Sequence, residues 1–233
     1  MDLAELGAVG GFFALRTGAP DDGQQPLARL YAGATAPLTA RVDTVAARLR
    51  TPERRVAASI AHLGLAARLW SVALGSAALT GRLPDLDPAR LHWDPARTSP
   101  DDLRLDDLRL SDARPPAATV ESVREAVQYG HLVPLADALR RDVGISRQLL
   151  WGNAGSALAG AVRELRSWAD RSGRAEVAER ASALAAGLFD HPDLAGTVQR
   201  PAMRRRSCCL YYRCPGGGLC GDCVFDRPPR RPV

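Results

Sequence analysis

Five cysteines, Cys208, Cys209, Cys214, Cys220 and Cys223, stand within sixteen residues, and residues 1–207 contain none. Thiols crowded in this way bind metal or exchange electrons. A disulfide framework fits poorly, because the count is odd and bridges confined to the tail would staple nothing upstream. The pattern is an adjacent pair, ten residues, then Cys220-x-x-Cys223. Four thiolates suit tetrahedral zinc, and they suit a [2Fe–2S] cluster with two thiolates per iron. Zinc ribbons favour two Cys-x-x-Cys knuckles, and an adjacent pair leaves no room for a turn between ligands. Spacing therefore ranks iron–sulfur ahead of zinc, with a redox dithiol or vicinal disulfide third.

Charge is concentrated on the same segment. All 31 basic residues are arginine, and eight of them (200, 204, 205, 206, 213, 227, 230, 231) lie after residue 199 against only Asp222 and Asp226. The formal +5 of the chain belongs to this tail, since the first 199 residues hold one more acid than base. Such a tail is either a solvated arm or a nucleic-acid patch unless the thiols bring a metal to it. Gly216-x-Gly218-x-x-Gly221 fits the dinucleotide fingerprint, but no strand precedes it and no helix follows it, so the match fails on context. With no P-loop or nucleophile elbow either, electrons are expected from outside the chain.

The string Ser207–Val224, with Leu210-Tyr211-Tyr212-Arg213 and Pro215–Leu219 between the cysteines, resembles the C-terminal signature of FhuF-like ferric-siderophore reductases. The segments at 55–71 and 149–161 resemble helical stretches of the same family. The resemblance implies a [2Fe–2S] cluster on Cys208, Cys209, Cys220 and Cys223, with Cys214 outside the pattern as a spare thiol. It implies an iron–sulfur oxidoreductase that reduces iron(III) in a siderophore by one electron. The substrate would be a ferric siderophore, hydroxamate-type among the candidates. The electron donor would be a ferredoxin, a flavodoxin or a small reductant. A four-thiolate [2Fe–2S] site carries about −2 oxidised and about −3 reduced, so nearby arginines would favour the reduced state and raise the potential.

These thiols need a scaffold, and the first 199 residues read mainly as helix. In 52–80, Val56, Ile60, Leu63, Ala67, Trp70 and Leu74 recur at the steps of one helical face. Thr51, Pro52 and Glu53 offer a start and Gly81 a stop. Further helices are predicted at 36–50, 119–128, 133–141, 146–171 and 174–189. Gly152, Gly155 and Gly160 each cost a helix roughly 1 kcal/mol relative to Ala, so they demand a close neighbour or a ligand against the backbone. Prolines break residues 82–118, where Arg90–Trp93, Leu103–Leu105 and Leu108–Leu110 alternate and suggest a small hairpin or irregular insertion. DDLRLDDLRL is a five-residue duplication inside it. Residues 191–201 read as a linker. The expected architecture is mainly α: a helical substrate-binding domain at 1–199 and a cysteine module at 200–233, too short to fold without a staple.

Within the helical part, His62, Arg68, Trp151 and Asn153 are the candidate substrate contacts. They would form a polar and aromatic wall for a chelate, against the plainer alternative of core residues with satisfied hydrogen bonds. His131, ahead of Pro134, reads equally as a helix-start residue.

Composition sets the outer bounds. The 46% hydrophobic and 24% charged residues exclude a disordered or fibrous chain. No stretch of about 18 uncharged apolar residues marks a membrane span, and the N-terminus lacks a secretory pattern. The expectations are a cytoplasmic protein, at most peripheral membrane contact and no nucleic-acid partner. Two rivals remain: a zinc-stapled, arginine-rich nucleic-acid-binding module, and an iron–sulfur sensor without substrate reduction.

Overall fold

The computed structural model describes residues 4–106, 117–199 and 201–229. Its axis is helix α4 (Arg54–Thr80), preceded by α1 (Ala4–Val9), α2 (Leu27–Tyr31) and α3 (Ala36–Leu49). Twenty of its 27 residues are buried. A helix apolar on every side belongs at the centre of a core, and α4 packs on α3, α7 (Arg147–Ser172) and α8 (Ala175–Phe189). Small residues let the backbones close. Ala57, Ala58, Ala61 and Ala66 on α4, and Ala154, Gly155 and Ala157 on α7, are all buried. At Gly75 of α4 a Cβ would run into Phe13 and Leu6 of the N-terminal segment. By length and composition α4 would also pass as a membrane span, but 78% of its apolar window is buried inside the fold. The criterion of uncharged length had set it aside only because Arg68 interrupts the run.

The helix starts and stops follow local chemistry with one adjustment. Glu53, in extended conformation, occupies the N-cap of α4, while the Thr51 hydroxyl accepts from Glu53 N–H at 3.3 Å. Gly81 ends the helix at φ +69, a left-handed conformation that favours glycine. The two helices expected at 119–128 and 133–141 are one continuous rod. α5 (Val120–Val123), capped by a reciprocal Thr119–Ser122 box, runs into a nine-residue π-helical segment, Arg124–Leu132, and on into α6 (Val133–Asp142). The wider π turns bury Gln128 and His131 on the inner face. The imidazole Nε2–H donates to Leu86 O at 2.7 Å, so Nδ1 accepts from the Tyr31 hydroxyl at 2.9 Å. Burial holds His131 down to a pKa of about 4 and the Tyr31 hydroxyl above its usual range.

The proline-rich insertion contains the expected hairpin: β3 (Leu91–Trp93) pairs antiparallel with β4 (Leu103–Leu105). Two further short strands complete a four-stranded sheet. β2 (Gln25–Pro26) pairs antiparallel with β3, and β1 (Arg16–Thr17) pairs parallel with β4. Leu108–Leu110 and the second half of the duplication lie outside the described residues.

Arg68 fastens this sheet to α4. It is 1% exposed, donates to Asp102 at 2.8 Å, and reaches the carbonyls of Gly11, Phe12 and Ala14. These bonds engage all three guanidinium nitrogens inside the core and give Arg68 a structural role beside the ligand contact expected of it.

Candidate metal centre

The cysteine segment reaches α7 through a two-stranded ribbon, β5 (Val198–Gln199) with β6 (Arg204–Arg205). The expected boundary at residue 199 thus falls inside a paired element. The ribbon lies flush on α7 because α7 presents glycines there. A Cβ on Gly152 would overlap Ser207, and one on Gly155 would overlap Thr197. Gly160 has only the Arg163 side chain near its would-be Cβ, at 3.7 Å, so it has no comparable packing role.

Polar links order the module and hold it on the helices. Arg205 N–H donates to Asp222 O at 3.1 Å, and Ser156 of α7 donates to the Asp222 carboxylate at 2.5 Å, which positions the Cys220–Cys223 loop. The Ser59 hydroxyl of α4 donates to Cys209 O at 2.8 Å and fixes the adjacent cysteine pair. Beyond that pair, Leu210 turns at φ +70 into a single 3-10 turn, Tyr211–Arg213, and Arg213 donates to Glu53 at 2.7 Å.

Arg205 and Asn153 form the centre of this arrangement. Asn153 has no exposed surface; its amide donates to Ser59 O at 2.9 Å and to the Ser59 hydroxyl at 3.0 Å. Its carbonyl accepts from Arg205 Nη2 at 2.6 Å, and Arg205 Nε donates to Ser207 O at 2.5 Å. Arg205 is 1% exposed, and its Nη1 has no hydrogen-bond partner. A buried cation with an unsatisfied donor is costly unless an acceptor or a negative charge belongs beside it.

The thiols supply that neighbour. The Cys209 thiol is in hydrogen-bonding contact with those of Cys208 and Cys220, and Cys223 lies close enough to Cys208 to oppose its ionisation. The Cys209 contact, with Leu210 N–H and the Arg205 charge, lowers the Cys208 thiol to about 7. Donation to Cys208 pushes Cys209 up, and donation to Cys209 pushes Cys220 up. The Arg205 charge favours ionisation of Cys208, Cys209 and Cys220 alike. Three thiols within the field of a buried guanidinium, with Cys223 near Cys208, suit a four-thiolate, net-negative group. Among the described residues no three His, Cys, Asp or Glu side chains are gathered around one point as a single metal ion would require.

Comparison with known families decides what this module is. A family model described as ferric iron reductase FhuF-like transporter matches residues 81–207, and one described as the FhuF 2Fe-2S C-terminal domain matches 205–225. The chain belongs to the FhuF-like ferric iron reductase family. Its cofactor is a [2Fe–2S] cluster, and the C-terminal match spans every cysteine of the chain. No curated protein matches the chain significantly.

The four expected substrate contacts have different places in this FhuF-like chain. Arg68 belongs to the sheet attachment described above. Asn153 is a sealed anchor for Arg205 and Ser59. His62, one turn beyond Ser59 on α4, is 2% exposed and held by burial to a pKa of about 3, with Nδ1 unpartnered. Trp151 alone reaches a surface cleft, where it forms part of the wall. Sequence reasoning passed over Ser59 and Ser156, and it took Arg205 and Asp222 only as part of the tail's charge. Arg205 stood out in the sequence only as a cation three positions before the cysteine pair.

Proposed function

We propose that this protein is a ferric-siderophore reductase whose cluster ligands are Cys208, Cys209, Cys220 and Cys223. The observation that carries this reading is that the buried Arg205, anchored to Asn153, lies within electrostatic reach of Cys208, Cys209 and Cys220 on a module latched to α4 and α7. When bound, a [2Fe–2S] cluster supplies one electron at a time. That matches the substrate's chemistry, since iron(III) is held tightly by hard oxygen donors and iron(II) far more weakly, so one electron frees the metal and leaves the chelator intact. The chain's own residues bind and tune. Arg205 stabilises the more negative state, Asn153 and Ser59 keep Arg205 and Cys209 in place, and Asp222 orders the second cysteine pair.

The electron enters from an external donor, a ferredoxin, a flavodoxin or a small reductant, in the cytoplasm. The nucleic-acid alternative draws little from the arginines near the thiols. Arg204 bonds Cys223 O and pairs with Asp226 at 2.7 Å, Arg205 is sealed in, and Arg213 pairs with Glu53. The test is anaerobic: the dithionite-reduced protein, freed of reductant, is mixed with a panel of ferric siderophores. Return of the oxidised visible spectrum together with trapped iron(II) supports the proposal. A reduced spectrum unchanged by every complex in the panel overturns it.

A further inference from the structure

A cleft of about 450 Å³ opens beside the cysteine module, between the start of α7 and the linker that leads to the ribbon. Its walls include Arg147 and Trp151 of α7, Pro192 and Asp193 of the linker, and Arg206 and Ser207. Ser207 adjoins Cys208, so anything seated here lies one residue from the first thiol, and electron transfer falls steeply with distance.

The lining selects an oxygen-rich anion. Arg206 is exposed and engages no acid among the described residues, and Arg147, 58% exposed, approaches Asp193 no closer than 3.8 Å. Asp193 is already held by the Gln128 amide at 3.1 Å, which leaves the cleft with an excess of cation. Trp151 and Pro192 supply an apolar surface beside these charges. The Trp151 indole N–H and the Ser207 hydroxyl are both buried without partners.

We infer that this cleft is the docking site for an anionic, oxygen-coordinated metal chelate, with Arg147 and Arg206 contacting its negative oxygens and Trp151 packing against its organic face. The inference rests on the reductase reading for its purpose but not for its test. The cleft's volume lies in the ordinary range for a small-molecule site. Neutral chelates lose the guanidinium contacts and bind less well.

The experiment uses gallium(III) citrate, an anionic and redox-inert probe, titrated calorimetrically into the cluster-loaded full chain. The expected result is saturable binding that weakens about tenfold or more in Arg147→Glu/Arg206→Glu, as reversal of two contact charges should produce. The same titration into Arg140→Glu, a charge reversal on the last turn of α6, should match the parent protein. Absence of binding to the parent, unchanged binding to the double variant, or equal weakening by Arg140→Glu each overturns the cleft. Retention of the visible cluster spectrum identifies variants that are correctly loaded. Ferric citrate turnover separates the two claims. Gallium binding lost in the double variant, with a parent cluster that no ferric chelate oxidises, keeps the cleft and removes the reductase reading. Ferric citrate that oxidises the double variant with the parent's KM keeps the reductase and removes the cleft.

Discussion

Arg205 is a full charge with 1% of its surface exposed, tethered at Nε and Nη2 and unsatisfied at Nη1. Its positive field favours the reduced, more negative cluster. Arg205→Gln should therefore lower the midpoint potential, by about 59 mV for each tenfold change in the one-electron equilibrium. Arg205→Lys, which keeps the charge, should recover most of the difference. A spectroelectrochemical titration reads both, and equal potentials in the parent and the Gln variant would mean that Arg205 is only a structural tie. Asn153→Ala removes the acceptor for a buried cation and should cost about 3 kcal/mol of stability, seen as a lower thermal midpoint. For the thiols, Cys220→Ser and Cys223→Ser should each lose most of the visible cluster absorption. Cys214→Ser should retain it, because the family pattern places Cys214 outside the ligand set. Full absorption in the first two, or its loss in the third, would reassign the ligands.

At the level of elements, the α7 glycines separate two effects that a sequence cannot tell apart. Gly160→Ala should stabilise by up to about 1 kcal/mol from helix propensity alone. Gly155→Ala gains the same propensity but drives a Cβ into Thr197, so it should destabilise and lift the ribbon from α7. Paired thermal melts, with limited proteolysis between residues 190 and 206, give the signs, and two shifts in the same direction would contradict the packing account. The demand for a reason behind Gly152 and Gly155 was legible in the sequence. The reason itself was not, because Ser207 and Thr197 come from a segment more than forty residues away. The long helices were legible for a physical cause: apolar positions recur at helical steps, and glycines close α4 and α7 in left-handed caps. The π segment was hidden because its apolar positions imitate two short α-helices broken near Gly130 and Pro134. The outer strands of the sheet are two residues long, too short to show an alternating pattern. Arg68, a polar residue on an apolar helix, suggests a ligand wall in the sequence, whereas its partners Asp102 and the carbonyls of Gly11, Phe12 and Ala14 become visible only in the fold.

Across the whole molecule, two buried imidazoles couple stability to pH. The unfolded value for histidine is about 6.5, and the folded values of His131 and His62 fall to about 4 and about 3. As pH falls below 6.5 the unfolded chain takes up these protons first. Stability contributed by neutral burial is present above 6.5, declines through the window down to the folded values, and is lost beneath them. The full effect of His131 is on the order of 3 kcal/mol. Denaturant melts between pH 7.5 and 5, where the visible spectrum confirms an intact cluster, should show the midpoint dropping with pH. His131→Gln should flatten that slope, and a midpoint that rises on acidification would contradict the assignment.

The molecule as a whole is a helical frame that carries five thiols on a latched module beside an open cationic cleft. Its central claim is that electrons leave that module for chelated iron(III). The most direct measurement is a single-turnover experiment, anaerobic and without external donor, in which the fully reduced protein meets excess ferric siderophore. The account predicts reoxidation of the cluster spectrum with one iron(II) formed for each cluster oxidised. Iron(II) formation that persists unchanged after Cys223→Ser has removed the cluster, or a reduced cluster that stays reduced, would contradict it.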